Sequence, residues 1–227
     1  GKGVPCVADG MRRNATAVTG AQANRFGPQV ALKWWYARAF VAQNVSFLFA
    51  DADVGWLRNP LDAWDRTYDV QGLSDVRATE LRVGPYHEIT CLRPWMEHAY
   101  KYVRGASVYP CQSVGVFFVR ASATSLRLLD DLYAHLVAHP TEWDQRTFQL
   151  LVVRYAIGLG DALPPLRYRL LPTSQYVNVE FYEERKKRRL DVSRTVAVHC
   201  GYIKGDAQKL RLLAKHGFIP HPRAAKL

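Results

Sequence analysis

The chain contains 227 residues, of which 48% are hydrophobic, and carries a formal net charge of +11 at neutral pH. The hydrophobic content excludes a disordered chain, and the length suits one domain, residues 1–227, with a substantial core. No apolar stretch approaches the roughly 20 residues that a bilayer-spanning helix needs.

Apolar patterning and turn residues predict alternating strands and helices along the chain. In the first half they predict a strand at 4–8, a loop at 12–29, a helix at 30–43, strands at 47–50 and 69–73, and irregular loops at 76–110. The helix has its predicted apolar positions at Leu32, Trp35, Ala39 and Phe40.

The second half has the same alternation, which predicts an α/β fold with a mainly parallel sheet flanked by helices. The predicted strands are 114–119, 166–171 and 195–199. The predicted helices are one that follows Ser122, a second from about Thr141 through Tyr155, and a third from Asp206 to Gly217. Ser122 and Asp206 are predicted N-caps, while Thr141 and Asp144 have the spacing of a capping box. The first of these helices has its predicted apolar face at Leu126, Leu129, Tyr133, Leu136 and Val137.

The positive charge is densest at residues 183–189, Glu-Glu-Arg-Lys-Lys-Arg-Arg. No interleaved aromatic residues and no known binding module support a nucleic-acid interface there. A solvated loop or helix face is expected. Attraction of an acidic polysaccharide or of a lumenal membrane surface is the alternative.

Two aspartates, Asp51 and Asp53, follow the apolar run at 47–50, which is typical of a strand buried on both faces. Open α/β sheets bind ligands beyond the carboxyl ends of such strands. Two carboxylates one residue apart repel each other unless a cation lies between them. A divalent metal that also binds a diphosphate meets that need. A plain surface turn after a strand is the alternative.

Four segments in order resemble the nucleotide-diphospho-sugar transferases of plant and algal type, retaining glycosyltransferases that include cell-wall arabinosyl- and xylosyltransferases. The segments are 47–61 around the two aspartates, the strand 113–120, the triplet Trp143-Asp144-Gln145, and 198–209. The resemblance covers roughly residues 3–218. It implies a GT-A, Rossmann-like fold whose first central strand is absent from this chain, which is then part of a longer protein.

The resemblance also implies a metal centre with Mn²⁺ or Mg²⁺. Asp53 would bind the metal, Asp51 would contact the metal or the ribose, and His199 would be a further ligand, since neutral imidazole suits Mn²⁺. The alternative for His199 is a core histidine that is hydrogen-bonded to the backbone.

A UDP-sugar is the implied donor. Gly205 and Lys209 would bind its diphosphate beside a helix N-terminus, and Lys33 is a further donor-binding candidate. Asp144 and Gln145 would lie beside the sugar, where Asp144 is a candidate nucleophile. Ion-pair stabilisation with the leaving phosphate as base is the other retaining route. The alternative for Lys33 and Lys209 is a solvated surface position. The alternative for Asp144 is a structural role as the cap of a helix.

One motif departs from the family pattern. The family's Asn-Ser/Thr-Gly is replaced by Ser113-Val114-Gly115. The asparagine amide would orient a hydroxyl of the sugar or the acceptor, whereas serine has a shorter reach and one donor. The change bears on acceptor choice and, to a lesser degree, on activity.

Family members are held in the Golgi by an N-terminal anchor, so the resemblance implies the Golgi lumen or secretory pathway, with membrane attachment only through a segment absent from this chain. The sequons at Asn14 and Asn44 are compatible with that route. The four cysteines, Cys6, Cys91, Cys111 and Cys200, allow either disulfides or free buried thiols.

The expected function is metal-dependent, retaining transfer of a pentose or galactose from a UDP-sugar to a glycan or a hydroxyproline-rich glycoprotein. A non-catalytic binding or structural module with the same fold is the alternative.

Overall fold

A computed structural model describes residues 29–75, 112–158, 163–201 and 203–219. The helices in these residues are α1 (Gln29–Ala42), α2 (Ala123–Ala138), α3 (Asp144–Ala156), α4 (Val179–Lys187) and α5 (Asp206–Lys215). The strands are β1 (Phe47–Ala50), β2 (Val54–Trp56), β3 (Val70–Ser74), β4 (Gln112–Val119), β5 (Tyr168–Leu170), β6 (Tyr176–Asn178) and β7 (Ala197–His199). The prediction of an α/β fold is confirmed.

The larger sheet has the order β1-β4-β3-β5. Strand β4 runs antiparallel to both β1 and β3, and among the described strands of this sheet only the β3–β5 pair is parallel. The prediction of a mainly parallel sheet is therefore wrong for the described residues. An apolar run indicates that a strand is buried on both faces, but it does not show the direction of the strand. A central antiparallel strand that is covered on both faces has the same apolar run as a parallel strand.

Strand β1 lies at an edge of this sheet in the described part of the chain, and each of its residues is half-buried. This differs from the expected strand buried on both faces. The first central strand of the GT-A fold, which was expected outside this chain, remains a prediction.

A smaller sheet has the order β2-β7-β6, with β2 antiparallel and β6 parallel to β7. Neither β2 nor β6 was predicted, because a strand of three residues is too short to show a two-residue period. The sequence also did not predict α4. Its basic C-terminal turn and the residues after it, 186–190, are exposed, as expected for a solvated helix face.

The core is divided by β4, whose side chains alternate between its two faces. Phe117 packs on one side with Trp34 and Phe148, at ring-centroid distances of 5.2 Å from Trp34 and 5.7 Å from Phe148. Phe118 lies on the other side, in a cluster with Tyr176 between the two sheets. The site described below lies at one end of this packed unit.

Helix existence was predicted better than helix orientation. Phe40 and Val137, both expected in apolar faces, are exposed, whereas Trp34 and Leu132 are fully buried. Aromatic and aliphatic residues lie all around α1, so its buried side is selected by the partners of the helix rather than by its own period. In α2 the predicted positions Leu129 and Leu136 are buried, as expected.

Only one of the three predicted caps is present. Ser122 caps α2 and forms a capping box with Ser125, which confirms that prediction. Trp143 is the N-cap of α3, so the box from Thr141 to Asp144 is wrong. Gly205, not Asp206, is the N-cap of α5.

Several predictions lie outside the described residues: the strand at 4–8, the loop at 12–28, the irregular segment 76–110, Asn14, Cys6, Cys91 and Cys111. Within the described part, Cys200 is a buried free thiol. Burial raises its pKa to about 11, so it remains protonated at neutral pH. None of the described helices combines the length and apolarity that a membrane span requires.

Candidate functional site

The site is centred on the turn that connects the two sheets. Asp51 follows β1, and its backbone N–H donates to the carbonyl of Gly115 on β4 at 2.8 Å. Asp53 precedes β2, which pairs antiparallel with β7 so that Val54 lies opposite His199. From the sequence, these residues were expected at the carboxyl ends of parallel strands. In the structure they lie together because β2, which follows Asp53, pairs antiparallel with β7, which ends at His199.

The three side chains form a compact cluster. His199 Nε2 lies 3.6 Å from Asp51 Oδ2 and 3.4 Å from Asp53 Oδ1. One potential ligand atom from each residue lies within 4.8 Å of the others. Asp53 Oδ1 and His199 Nε2 are both buried, and neither has a hydrogen-bond partner among the described residues. Two oxygens and one nitrogen arranged in this way fit a divalent cation such as Mn²⁺ or Mg²⁺.

Electrostatics within the cluster follow from this packing. Burial disfavours the charged form of Asp53, but His199 and Lys209 outweigh it and hold the pKa of Asp53 well below its usual range. Burial also opposes a charged His199, yet Asp51 and Asp53 raise the pKa of His199 to about 9. The metal-free cluster is therefore stabilised by its own ion pairs, and a bound cation would replace the proton on His199.

Two glycines hold the imidazole of His199 in place. A Cβ on Gly115 would lie 2.2 Å from His199 Cε1, and a Cβ on Gly201 would lie 2.4 Å from the same atom. Both distances are far below van der Waals contact, so only glycine leaves room for the ring here. The ring is thus confined between β4 and the turn after β7.

Ser113 lies against the same ring. Its Oγ is 3.5 Å from His199 Nδ1 and accepts from the backbone N–H of Gly115 at 3.1 Å. From the sequence, the residue at this position was expected to face the sugar or the acceptor. The structure places Ser113 against His199 and also in the wall of one of the cavities described below. Its oxygen can orient the tautomer that leaves Nε2 free.

Lys209 and Gly205 lie on the other side of the cluster. Lys209 Nζ is 2.6 Å from Asp53 Oδ2. Gly205, the N-cap of α5, has φ +85°, a conformation that favours glycine, and a Cβ built on it would meet no atom within 4 Å. A helix N-terminus with open space around its first residue and a lysine one turn on is suited to an anion.

Asp144 and Lys33 form a pair that the sequence did not predict. Asp144 Oδ2 lies 2.7 Å from Lys33 Nζ and accepts from Trp34 Nε1 at 3.0 Å. Its Oδ1 accepts from the backbone N–H of Gln145 at 2.8 Å. Lys33 therefore contacts a protein carboxylate, and both oxygens of Asp144 are engaged.

The side-chain amide of Gln145 is also engaged. Its oxygen accepts from the backbone N–H of Val114 at 3.3 Å, and its nitrogen donates to Asp75 Oδ2 at 2.9 Å. Asp75 is buried and was not singled out from the sequence. Its position was informative, because Asp75 follows the apolar strand β3 as Asp51 follows β1.

Two adjoining cavities connect these groups. One, of about 370 Å³, is lined by Asp51, Asp53, Asp206 and Lys209. The other, of about 390 Å³, is lined by the metal-type cluster and by Lys33, Ser113, Asp144 and Gln145. Their sizes suit parts of a nucleotide-sized ligand. The Asp-Asp-His cluster and the adjacent lysine are side chains of the kinds that bind a divalent cation and a phosphate group.

The chain belongs to the nucleotide-diphospho-sugar transferase family, whose sequence model matches residues 3–213. Members of this family transfer a sugar from a nucleotide-diphospho-sugar. Over 173 residues the chain is 27% identical to Arabinosyltransferase RRA2 of Arabidopsis thaliana. That region covers 75% of this chain and 39% of the relative, so the chain spans about two fifths of that protein's length. No solved structure gave a significant match.

Proposed function

We propose that this chain is the donor-binding and catalytic part of a metal-dependent, retaining glycosyltransferase that uses a UDP-sugar. The observation that carries the proposal is the convergence of Asp51, Asp53 and His199 with two buried atoms that lack hydrogen-bond partners in the described residues. A pentose or galactose is the proposed sugar, and a glycan or hydroxyproline-rich glycoprotein is the proposed acceptor. The proposed location is the Golgi lumen or secretory pathway.

The residues divide into binding and reaction roles. Asp51, Asp53 and His199 would hold Mn²⁺ or Mg²⁺, which when bound neutralises negative charge on a diphosphate. Lys209 and the backbone at Gly205 would bind the phosphates. Lys209 is already held at the cluster by Asp53, so its charge is positioned before any substrate arrives.

The contacts of Asp144 favour one of the two retaining routes. A carboxylate that is paired with Lys33 and accepts from Trp34 has its negative charge largely satisfied, and this weakens it as a nucleophile. The route in which the leaving phosphate acts as base needs no free carboxylate. In that route Asp144 holds Lys33 at the cavity, and Lys33 can stabilise the departing group.

Metal dependence is tested directly by calorimetry with UDP. We expect the EDTA-treated protein to bind UDP weakly and the Mn²⁺-loaded protein to bind it at least about tenfold more tightly, because a cation beside the diphosphate neutralises its charge. UDP at about 100 times its Kd should then raise the free energy of unfolding by about 2.7 kcal/mol. Equal UDP binding with and without Mn²⁺ contradicts the proposed metal centre, and no UDP binding under either condition contradicts the donor site.

Asp144→Asn tests the role of the buried carboxylate. Breaking the pair with Lys33 should lower the free energy of unfolding by about 1–3 kcal/mol. UDP release from a panel of UDP-pentoses and UDP-galactose should fall by orders of magnitude, because both retaining routes use the charge. The matched control is Glu142→Gln, which removes a carboxylate that is bonded to His135 and Thr147. Near-normal turnover in Asp144→Asn would show that Asp144 is only structural.

A non-catalytic binding module is the second candidate. It is favoured by the engagement of both proposed sugar-side groups, Asp144 and Gln145, with protein partners, and by the departure at Ser113-Val114. The two candidates differ in one measurement. A binding module would bind UDP with Mn²⁺ but release no UDP from any donor, with or without acceptor glycans.

A further inference from the structure

A separate cavity of about 250 Å³ lies at the opposite end of β1 from Asp51. Ser46 immediately precedes β1, and the other described residues that line the cavity are Trp64, Arg66 and Arg120. Ser46 and Asp51 are separated by five residues of extended chain, or about 16 Å at roughly 3.3 Å per residue. A small ligand in this cavity would therefore not touch the Asp51–Asp53–His199 cluster.

Both guanidinium groups at this cavity contact other side chains of the fold. Arg66 stacks over the Trp64 ring at 5.6 Å, and Trp64 in turn packs on the core residue Phe118 at 5.2 Å. Arg120 donates through Nη2 to the buried carboxylate of Asp69. The ion pair with Asp69 orders Arg120 before a ligand binds, so the entropic cost of ordering that side chain is already met.

The described lining supplies hydrogen-bond donors and no carboxylate. Trp64 Nε1 and Arg120 Nε are buried and have no acceptor among the described residues. Ser46 Oγ accepts from the backbone N–H of Ala121 at 2.9 Å, which leaves its hydroxyl hydrogen to donate. Arg66 has no ion-pair partner in the described part of the chain. The hydroxyl of Ser46 and the exposed guanidinium of Arg66 remain free to donate into the cavity, and an anionic acceptor forms the stronger bond with such donors.

We propose that this cavity is an auxiliary binding site for an oxyanion group, a carboxylate, sulfate or phosphate, carried on a molecule of about one sugar ring. The cavity is smaller than the roughly 300–1,000 Å³ of sites for drug-sized ligands, which sets the size limit. The two N–H groups of a guanidinium fit the paired oxygens of a planar or tetrahedral oxyanion, so the ligand is expected to be negatively charged. The proposal does not depend on the identity of the donor or of the metal.

The test follows the indole N–H resonance of Trp64 by NMR in the full chain with EDTA present, with the resonance assigned by Trp64→Phe. The probes are glucuronate, glucose 6-phosphate and inorganic sulfate, with neutral glucose as the uncharged control. We expect the resonance to shift with at least one anion and not with glucose. The anion that binds most tightly distinguishes a carboxylate ligand from a phosphate or sulfate ester.

The matched variants are Arg66→Gln and Arg194→Gln, both at exposed arginines, of which only Arg66 lines the cavity. Arg66→Gln should weaken the preferred anion about tenfold, the loss expected for one charge-assisted contact, and Arg194→Gln should leave its affinity unchanged. Three results would overturn the proposal: no shift of the Trp64 resonance with any probe, an equal shift with glucose, or equal affinity in the two variants.

Discussion

Replacing Asp53 with alanine is expected to lower the metal-dependent affinity for UDP by about 100-fold or more, because even residues that only support metal ligands cost roughly 10–100-fold when removed. Asp53 contributes the most enclosed carboxylate oxygen of the cluster, and its other oxygen holds Lys209 at 2.6 Å. The change therefore removes a metal ligand and releases the lysine that would bind phosphate. Titration calorimetry with Mn²⁺ and UDP measures the loss.

The metal-free Asp53→Ala protein should also be less stable, by about 1–3 kcal/mol, as urea unfolding would show. Considered alone, repulsion between the two carboxylates predicts unchanged or slightly higher stability for this variant. The structure reverses that prediction, because His199 and Lys209 make the charged form of Asp53 net favourable. The control is Asp130→Asn, which removes an exposed carboxylate paired with Arg38. An Asp53→Ala protein that binds Mn²⁺ and UDP with parent affinity would show that the two aspartates form only a turn.

Gly115→Ala is expected to disable the metal site without changing any ligand. The new Cβ would lie 2.2 Å from His199 Cε1 and 2.5 Å from Nε2. Gly115 lies in β4, between two paired strands, so the backbone has little room to move and the imidazole must turn away. Mn²⁺ affinity measured by calorimetry should fall at least about tenfold, and overpacking should cost about 1–3 kcal/mol of stability.

Two further alanine variants separate the steric effect on His199 from general destabilisation. Gly201→Ala meets the same ring at 2.4 Å, but Gly201 lies in an exposed turn that can shift, so the loss of Mn²⁺ affinity should be smaller. Gly217 has φ +76° and no atom near its Cβ position, so Gly217→Ala strains the backbone without touching His199. This variant should lower the free energy of unfolding and leave the Mn²⁺ affinity unchanged. Parent Mn²⁺ affinity in Gly115→Ala would mean that His199 is not a ligand in its present orientation.

Much of the element order was predictable. Most of the longer helices and strands, among them α1, α2 and β4, lie within a few residues of their predicted positions, because apolar spacing and turn residues act over short stretches of chain. Asp51, Asp53 and His199 were selected because they end apolar runs and match a family pattern. The structure brings them together, but through an antiparallel pair of strands rather than a parallel sheet.

The partners of the remaining site residues were not predictable in the same way. Trp34 bonds to Asp144 across 110 positions of sequence, and Ser113 reaches His199 across 86. No local pattern marks such pairs. The expectations of Lys33 near the donor and Ser113 near the sugar or acceptor remain predictions, and both residues line the cavity beside the cluster. The structure adds their protein partners, which are the buried carboxylate of Asp144 for Lys33 and the imidazole of His199 for Ser113.

By itself, the sequence determined the fold class, the family and the identity of the groups that end the main strands, since each of these is written in short segments. Only the tertiary structure decided the direction of β4, the buried face of α1, and the partners of Asp144 and Gln145. The physical reason is that the spacing of apolar residues along a helix or strand shows how much of that element must be buried. Neighbours from distant parts of the chain determine which residues pack on that element. They also determine which of its polar atoms remain available to a ligand.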